Sequence, residues 1–325
     1  MLVRLGVLTN PVADHNHRFP FTHGRLQHHL ESEADAVVTA DKSCLDEAVR
    51  QLLLEREVTV LAINGGDGTI HGVVNCLSAA FGEDYLAGRR APPTLLLLNG
   101  GTYNMASRAM STNGDPVATV RRFQHRFRGG HLASVPSHGV GLLEVRGGAA
   151  LPMLGMFFGS QVVANALDLC DRMGSGYLGL VRLLGQGAAG YVLRTAFFRE
   201  NAWRLRADDP RGTVDGVPYR DVVAMVAATV DMKLARGLVW ALTAPTDGAG
   251  FHVKLVRGRR PGDVVHLLPH LLWELSHPMI VSFPEARAVT TSGAFTLDGE
   301  LYEHRGPLEI GLSPLRFEVV SGDAL

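Results

Sequence analysis

The residues best suited to chemistry are Asn64-Gly65-Gly66-Asp67-Gly68-Thr69, set between an apolar run at 58–63 and a helix-patterned segment from residue 70. Closely spaced glycines let a backbone turn sharply and bring its N–H groups against an anion, and a following helix start adds positive dipole. Asp67, held between glycines, can meet a metal or a hydroxyl. A plain connecting turn has a similar composition, but the strand before it and the helix after it favour a phosphate site. A second element has the same form: the apolar 94–98, then Asn99-Gly100-Gly101-Thr102, then Tyr103-Asn104-Met105-Ala106-Ser107-Arg108. Two such units place glycines and threonines at one sheet edge, where open α/β sheets bind ligands. No Gly-x-x-x-x-Gly-Lys-Ser/Thr is present, which excludes the lysine-bearing P-loop.

The elements that must position these residues follow from the hydrophobic pattern. Strands expected at 2–9, 34–39, 58–63 and 94–98 alternate with helices at 43–55, 70–81 and 103–124, which implies βαβ units and a mostly parallel sheet. From residue 131 the texture changes to strand-like segments at 139–145, 221–230 and 251–256 with Gly/Pro turns. This predicts a largely antiparallel β-sandwich as a second domain. Helical stretches at 162–173 and 177–198 lie between. At 325 residues the chain is long for one core, so the division expected is 1–130 for an α/β nucleotide-binding domain and 131–307 for a β-rich substrate domain.

A hydrophobic fraction of 46% with 19% charged residues marks a globular chain. A formal net charge of -1 gives no bulk attraction to nucleic acid or to an anionic membrane. Cys44, Cys76 and Cys170 are widely spaced and odd in number, so neither a disulfide framework nor a Cys-x-x-Cys metal site is supported, and a reducing cytoplasm fits. The apolar start at 1–8 leads into Thr9-Asn10-Pro11 without a signal-peptide pattern and reads as a buried strand. No apolar run approaches the roughly 20 residues of a membrane span.

At this point the motifs resemble a family. Gly65-Gly66-Asp67-Gly68-Thr69, Val73-Val74-Asn75 and Gly101-Thr102-Tyr103-Asn104 look like the catalytic domain of diacylglycerol and sphingosine kinases, with a more distant similarity to NAD kinases. The resemblance continues through 174–184 (Gly-x-x-Tyr), Pro245-Thr246-Asp247-Gly248 and Leu297-Asp298-Gly299-Glu300. It implies ATP-dependent phosphoryl transfer, with Mg²⁺, to diacylglycerol or a related long-chain lipid alcohol. It also implies a last strand, about 308–325, returning to the first domain. Gly65, Gly66, Gly68 and Thr69 would hold the triphosphate, Gly101 and Thr102 would close its other side, and Asn10 and Thr39 would border the nucleotide. Asp67 is the first choice for the catalytic carboxylate, with Asp298 and Glu300 completing an acidic set and Asp67 and Glu300 meeting the metal. Such transfer needs alignment and charge neutralisation more than covalent help. The resemblance implies a cytoplasmic protein in transient peripheral contact with membranes, is compatible with a homodimer, and gives no role to nucleic acid.

The chain departs from that family at three places. Gly72 stands where members often carry Glu, Met105 where they carry Asp, and Val12-Ala13-Asp14-His15 replaces a Gly-rich stretch after the first strand. A thioether is a poor ligand for a hard cation, so a reduced or rebuilt metal site is expected. A non-catalytic lipid- or nucleotide-binding relative and a kinase of a soluble alcohol are the alternatives.

Other features read as ordinary structure. Gly174-Ser175-Gly176-Tyr177-Leu178-Gly179 follows a helix rather than a strand and reads as a connecting loop. Asp14-His15-Asn16-His17, with His23, His28 and His29, lacks a helical i, i+4 pair and reads as a polar, mobile loop. Arg121, Arg122, Arg126 and Arg128, and Arg257, Arg259 and Arg260, read as solvated faces, with lipid phosphates as the other use. Leu178, Leu180, Val181, Leu183 and Leu184 have helical spacing and read as core, or as the lining of an acyl pocket.

Overall fold

The computed structural model describes residues 1–325 except 40, 113, 148–151, 174–176, 208, 234–238, 243–247, 274 and 305; side chains at 34, 42, 177–181, 184, 188, 205, 233, 239–241 and 272 are also outside the description. The chain forms two compact units, Met1–Gly141 with Pro314–Leu325, and Leu142–Ser313.

In the first unit, β1 (Leu5–Thr9), β2 (Ala36–Val38), β3 (Val60–Gly65) and β4 (Thr94–Asn99) form a parallel sheet in the order β2-β1-β3-β4. The last long strand, Pro307–Val320, adds its C-terminal end in parallel to β4, with Val319 opposite Leu95. Helices α1 (Asp14–Arg18), α2 (Thr22–Gln27), α3 (Leu45–Arg50), α4 (Asp67–Leu86), α5 (Met105–Ala109) and α6 (Pro116–Phe127) connect or cover these strands. The strands are apolar on both faces because helices cover parallel sheets from both sides. Leu5 and Val7 of β1, Val60 and Ala62 of β3, and Leu96 and Leu98 of β4 pack with Leu26 of α2 and with Val117, Val120, Phe123 and Phe127 of α6. Each such side chain contributes about 1.5–3 kcal/mol on burial. On the same face, one step further along the strands, the apolar pattern ends in Thr9, Asn64 and Gly100, so the core passes directly into the polar edge.

Three expectations are corrected here. The predicted helix over 103–124 is two helices, because Ser111 turns the chain at φ 57 and Pro116 starts a new helix capped by Asp115, whose carboxylate accepts from Ala118 N at 3.0 Å. The polar segment from Asp14 is not a loop but α1 and α2, with Asn16 and Leu26 buried. The predicted helix over 43–55 begins at Leu45 and passes into a π-helical turn, Gln51–Glu55. Where α3 crosses α4, a Cβ on Gly72 would come within 2.7 Å of Leu45 Cδ2. A side chain at this position therefore requires the Leu45 side chain to move.

The second unit holds β5 (Ser137–Arg146, which starts in the first unit), β6 (Met153–Gly155), β7 (Phe157–Ser160), β8 (Arg211–Val214), β9 (Val217–Arg220) and β10 (Val222–Ala228). It continues with the ribbon β11 (Met232–Lys233) and β12 (Val239–Leu242), then β13 (Phe251–Arg257), β14 (Ile280–Ala286), β15 (Ala288–Ser292), β16 (Phe295–Leu297), β17 (Glu300–Tyr302) and the first half of β18 (Pro307–Val320). Six strands in the order β14-β13-β10-β7-β16-β17 form one antiparallel sheet. Phe158, Met225, Phe251, Val253, Leu255, Phe295 and Leu297 of that sheet share a core with Leu143, Val145, Val214, Val289, Leu308 and Ile310 of the antiparallel strands packed on it. Helices α7 (Val162–Arg172), α8 (Tyr177–Leu193), α9 (Ala196–Asn201) and α10 (Pro261–Leu272) complete the unit. The single helix expected over 177–198 breaks at Arg194, φ 51.

The turn between β16 and β17 is Asp298-Gly299, with φ 52 and 87. Positive φ at both positions gives a two-residue hairpin whose twist matches its strands. Asp298 is buried, and its Oδ1 accepts from the backbone N–H groups of Met156 at 2.9 Å and Phe157 at 2.8 Å. This carboxylate therefore locks the hairpin to the β6–β7 bend.

Two stability outcomes follow. Gly72→Glu lowers the unfolding free energy by about 1–3 kcal/mol, and adding Leu45→Ala to it recovers part of that loss; urea unfolding of the single and double variants checks both. Asp298→Ala strands two buried N–H groups and costs about 2–4 kcal/mol, read as a lower urea midpoint with an unchanged slope.

Candidate functional site

The C-terminal ends of β1, β3 and β4 build one polar edge. From β3 the chain passes Gly66, in extended conformation at φ -89 and ψ -178, and enters α4 at Asp67. No side chain caps this helix. A helix start leaves backbone donors unpaired by the helix itself, and a phosphate or carboxylate is their usual external partner. Thr69 N and Ile70 N bond back to Gly66 O at 2.9 and 3.1 Å, which fixes the turn.

The two glycine loops meet backbone to backbone. A Cβ on Gly66 would fall 3.3 Å from Gly101 Cα, and one on Gly101 would overlap Gly66 Cα. A Cβ on Gly100 would lie 2.7 Å from Asn64 Oδ1 and 2.8 Å from Asn16 Nδ2, and one on Gly65 would strike Thr69 at 2.5 Å. These glycines serve loop packing as well as any approach of an anion. Gly100 N donates to Gly65 O at 3.1 Å, and Gly101 exchanges two 2.9 Å bonds with the Asn104 side chain, which sits in the left-handed region at φ 51.

Asp67 ties the loops further. Its Oδ1 accepts from Ala106 N at 3.0 Å, so it serves as a cap for α5 supplied from the neighbouring loop. Met105, at the first position of α5, is partly buried beside this bond. Asn10 Nδ2 donates to Thr69 Oγ1 at 2.9 Å, linking the end of β1 to the first turn of α4. Thr39 is buried, with its hydroxyl donating to Asp41 O at 2.9 Å and its N–H to Thr9 O. Gly68 and Thr102 lie on the same two loops and are partly exposed. The structure thus gathers Asn10, Gly65, Gly66, Asp67, Gly68, Thr69, Gly101 and Thr102 at one edge, with Thr39 at the end of the adjoining strand.

Asn16 is the residue that sequence reasoning missed. It is 3% exposed. Its Nδ2 donates to Asn10 O at 2.8 Å and to Asn64 O at 3.0 Å, while His15 N and Asn16 N approach Gly100 O at 3.2 and 3.4 Å. One side chain and two backbone donors thereby hold the ends of three strands. The signal was an Asn inside a histidine-rich run, which reads as a solvent-facing side chain until α1 buries it.

Asp298 and Glu300 belong to the second unit. Asp298 is engaged by the backbone of β6–β7, as described, whereas Glu300 is partly exposed at the first position of β17. Burial, with the carboxylates of Glu300 and Asp298 nearby, pushes the Tyr302 hydroxyl up to about 12. Tyr302 stacks on Phe295 at 5.0 Å, so it remains a neutral hydroxyl beside two acids. Among the described residues no group of three or more His, Cys, Asp and Glu side chains is placed to hold a metal ion. Of the other features, Arg259 N and Arg260 N donate to Asp263, holding its carboxyl below the usual range, and this makes that arginine cluster part of a helix start. Arg121, Arg122, His125 and Arg126 are exposed on α6. Residues 174–176 and 245–247 of the proposed motifs, and the side chains of Leu178, Leu180, Val181 and Leu184, lie outside the described residues.

Residues 4–135 match the family model described as the diacylglycerol kinase catalytic domain. The chain is 33% identical over 135 residues to a "Probable lipid kinase YegS-like" of Pseudomonas fluorescens strain Pf-5, a match spanning 40% of this chain and 39% of that protein. The match therefore covers about two-fifths of the relative's length. The crystal structure of a diacylglycerol kinase from Bacillus anthracis str. Sterne has the same fold, with TM-score 0.59, 16% identity, and coverage of 98% of this chain and 96% of that one. Another solved chain from that organism gives TM-score 0.67 at 15% identity over 99% and 98% of the two chains. The resemblance read from the motifs is borne out over 4–135, and the chain as a whole has the diacylglycerol kinase-like fold.

Proposed function

We propose that this protein transfers the γ-phosphate of ATP to the hydroxyl of diacylglycerol or a related long-chain lipid alcohol. The observation that carries the reading is the start of α4, which no side chain caps and which begins at Asp67, where Gly66 and Gly101 bring two loops backbone to backbone. That arrangement fits a polyphosphate, whose oxygens accept from the backbone N–H groups at the start of α4. The match of 4–135 to a kinase catalytic domain supports it.

Asp67, at the start of α4, suits Mg²⁺ in its usual role with nucleotides, in which one or two carboxylates suffice and phosphate oxygens and water supply the rest. Asp67 and Glu300 are the proposed acidic residues, and the ion would neutralise charge developing on the transferred group. Asp67 has two tasks in this reading: its Oδ1 holds Ala106 N, and its carboxylate orients the acceptor hydroxyl or takes its proton. Asn10, through Thr69, and Asn16, through three carbonyls, keep the phosphate-binding loops at fixed spacing. Asp298 acts as a positioning residue for the hairpin that carries Glu300. The proposed setting is cytoplasmic with transient contact with membranes, as the acceptor requires; among the described residues no helix is long and apolar enough to cross a bilayer.

Phosphate transfer from labelled ATP to diacylglycerols, sphingoid bases, ceramides and soluble alcohols tests the reading. Asp67→Asn keeps an amide oxygen for Ala106 N, so the fold persists while turnover falls about 10²-fold or more; undiminished turnover would sink the assignment. ATP binding without transfer to any acceptor would favour a non-catalytic relative. Asn16→Asp replaces a double donor with a carboxylate facing two carbonyl oxygens. Its nucleotide KM rises, and its stability deficit grows as pH climbs past the ordinary carboxylate range, because only the protonated form can donate. Thermal unfolding and KM measured across pH check both.

A further inference from the structure

We propose that the helical part of the second unit, at the α8–α9 turn and around Trp203 and Trp273, is a docking face for an anionic lipid bilayer. This deepens the lipid-alcohol reading and rests on it for its purpose. Val192, Leu193, Trp203, Trp273 and Leu275 are 76%, 72%, 58%, 68% and 51% exposed. Single exposed apolar residues need no explanation, but Val192 and Leu193 at the end of α8, Trp203 in the turn Ala202–Leu205, and Trp273 and Leu275 just after α10 together do. Contacts join α8 with α9, α10 with α8, and α10 with the turn Ala202–Leu205 that bears Trp203.

These side chains are presented by built structure. Tyr191 packs edge-on against Phe198 at 5.5 Å, and its ring and hydroxyl fill the space beside Gly262 at the start of α10, where a Cβ would come within 2.7 Å of the hydroxyl. Thr195 N donates to Gly190 O at 3.1 Å, and the Thr195 hydroxyl caps α9. The turn is thus pinned on its inner side by Tyr191, and the next two residues, Val192 and Leu193, face solvent. Trp203 is held in a similar way. The Arg204 guanidinium lies 4.6 Å from its ring centroid, and Arg204 is itself paired with Asp168, which also binds Arg172.

Charge identifies the partner. Residues 177–206 and 273–275, which bear these apolar side chains, contain five arginines, at 182, 194, 199, 204 and 206, against two acids, Glu200 and Glu274, with Arg204 already paired with Asp168, in a chain whose net charge is -1. Arg194, Arg199 and Arg206 are exposed in the same segment as the apolar side chains. Tryptophan with aliphatic residues, rimmed by arginines that extend their charge toward phosphates, is the composition of a surface that rests at the headgroup level of an anionic membrane.

The two exposed tryptophans supply the readout. The whole protein is mixed with vesicles of phosphatidylcholine alone, or of phosphatidylcholine with phosphatidylglycerol, and Trp emission, quenching by brominated lipid and co-sedimentation are measured. The expected result is a blue shift and quenching with the anionic vesicles, reversed by salt. Replacing Val192 and Leu193 by Ser together should lower vesicle partitioning by about tenfold or more, and Trp203→Phe and Trp273→Phe should each remove part of the shift. Turnover of a water-soluble short-chain acceptor should be unchanged in the Val192/Leu193 variant. The proposal is overturned if the wild type ignores anionic vesicles, if the double variant partitions like the wild type, or if sedimentation shows a dimer that shields the tryptophans with no vesicle binding. Vesicle binding is read without catalysis, so failure of the kinase reading and failure of the docking face are separable.

Discussion

The contact between Gly66 and Gly101 sets the terms for the first unit. Two loops from neighbouring parallel strands approach until their backbones touch: a methyl on Gly101 would overlap Gly66 Cα, and one on Gly66 would press on Gly101 Cα at 3.3 Å. Everything that gives the edge its chemistry is fitted around that approach. Asp67 reaches across to Ala106, Asn104 folds back on Gly101, Gly100 bonds Gly65, and Asn16 closes the ends of β1 and β3. Glycine at a phosphate loop is usually justified by the ligand, which needs bare backbone. Here the protein's own second loop imposes the same demand, and the two loops are held at fixed spacing by their own contacts. Preorganisation of this kind is what phosphoryl transfer asks of a protein, since its contribution is placement rather than covalent chemistry.

A consequence is that several polar side chains at this edge have structural partners. Asn10 holds Thr69, Thr39 holds Asp41, and Asp298 in the other unit holds Met156 and Phe157. The Asn64 side-chain amide, fully buried at this edge, is an exception: neither its Oδ1 nor its Nδ2 has a hydrogen-bond partner. Backbone donors at the start of α4 are left to meet an anion. This division of labour suits a site without a P-loop lysine. Side chains fix the loops, and the loops offer dipoles.

Much of this was legible in the sequence because parallel strands buried on both faces write uninterrupted apolar runs. Residues 60–63 and 95–98 could hardly be anything else, and the glycines after each announce the turn. What could not be read depends on contacts far apart in the chain. Asn16 lies in a run of histidines and acquires meaning only when α1 lays it over the carbonyls of Asn10 and Asn64. The break between α5 and α6 turns on Ser111 adopting φ 57, a conformation that serine seldom announces. Asp298-Gly299 was legible as a hairpin turn, but the capture of two distant backbone N–H groups by its carboxylate was not.

The departures from the lipid kinase pattern have different physical standing. Gly72 has a neighbour that fits it: the Leu45 side chain lies in the space a side chain at 72 would enter and would have to move to admit one. Met105 is explained by nothing comparable. It stands at the first turn of α5, beside the bond from Ala106 N to Asp67 Oδ1, where a second carboxylate would place two negative charges next to each other. With Met there, Asp67 meets no such repulsion and caps α5 alone. With one carboxylate beside this bond rather than two, a cation at this edge would draw its ligands more from phosphate oxygens and water than from protein carboxylates.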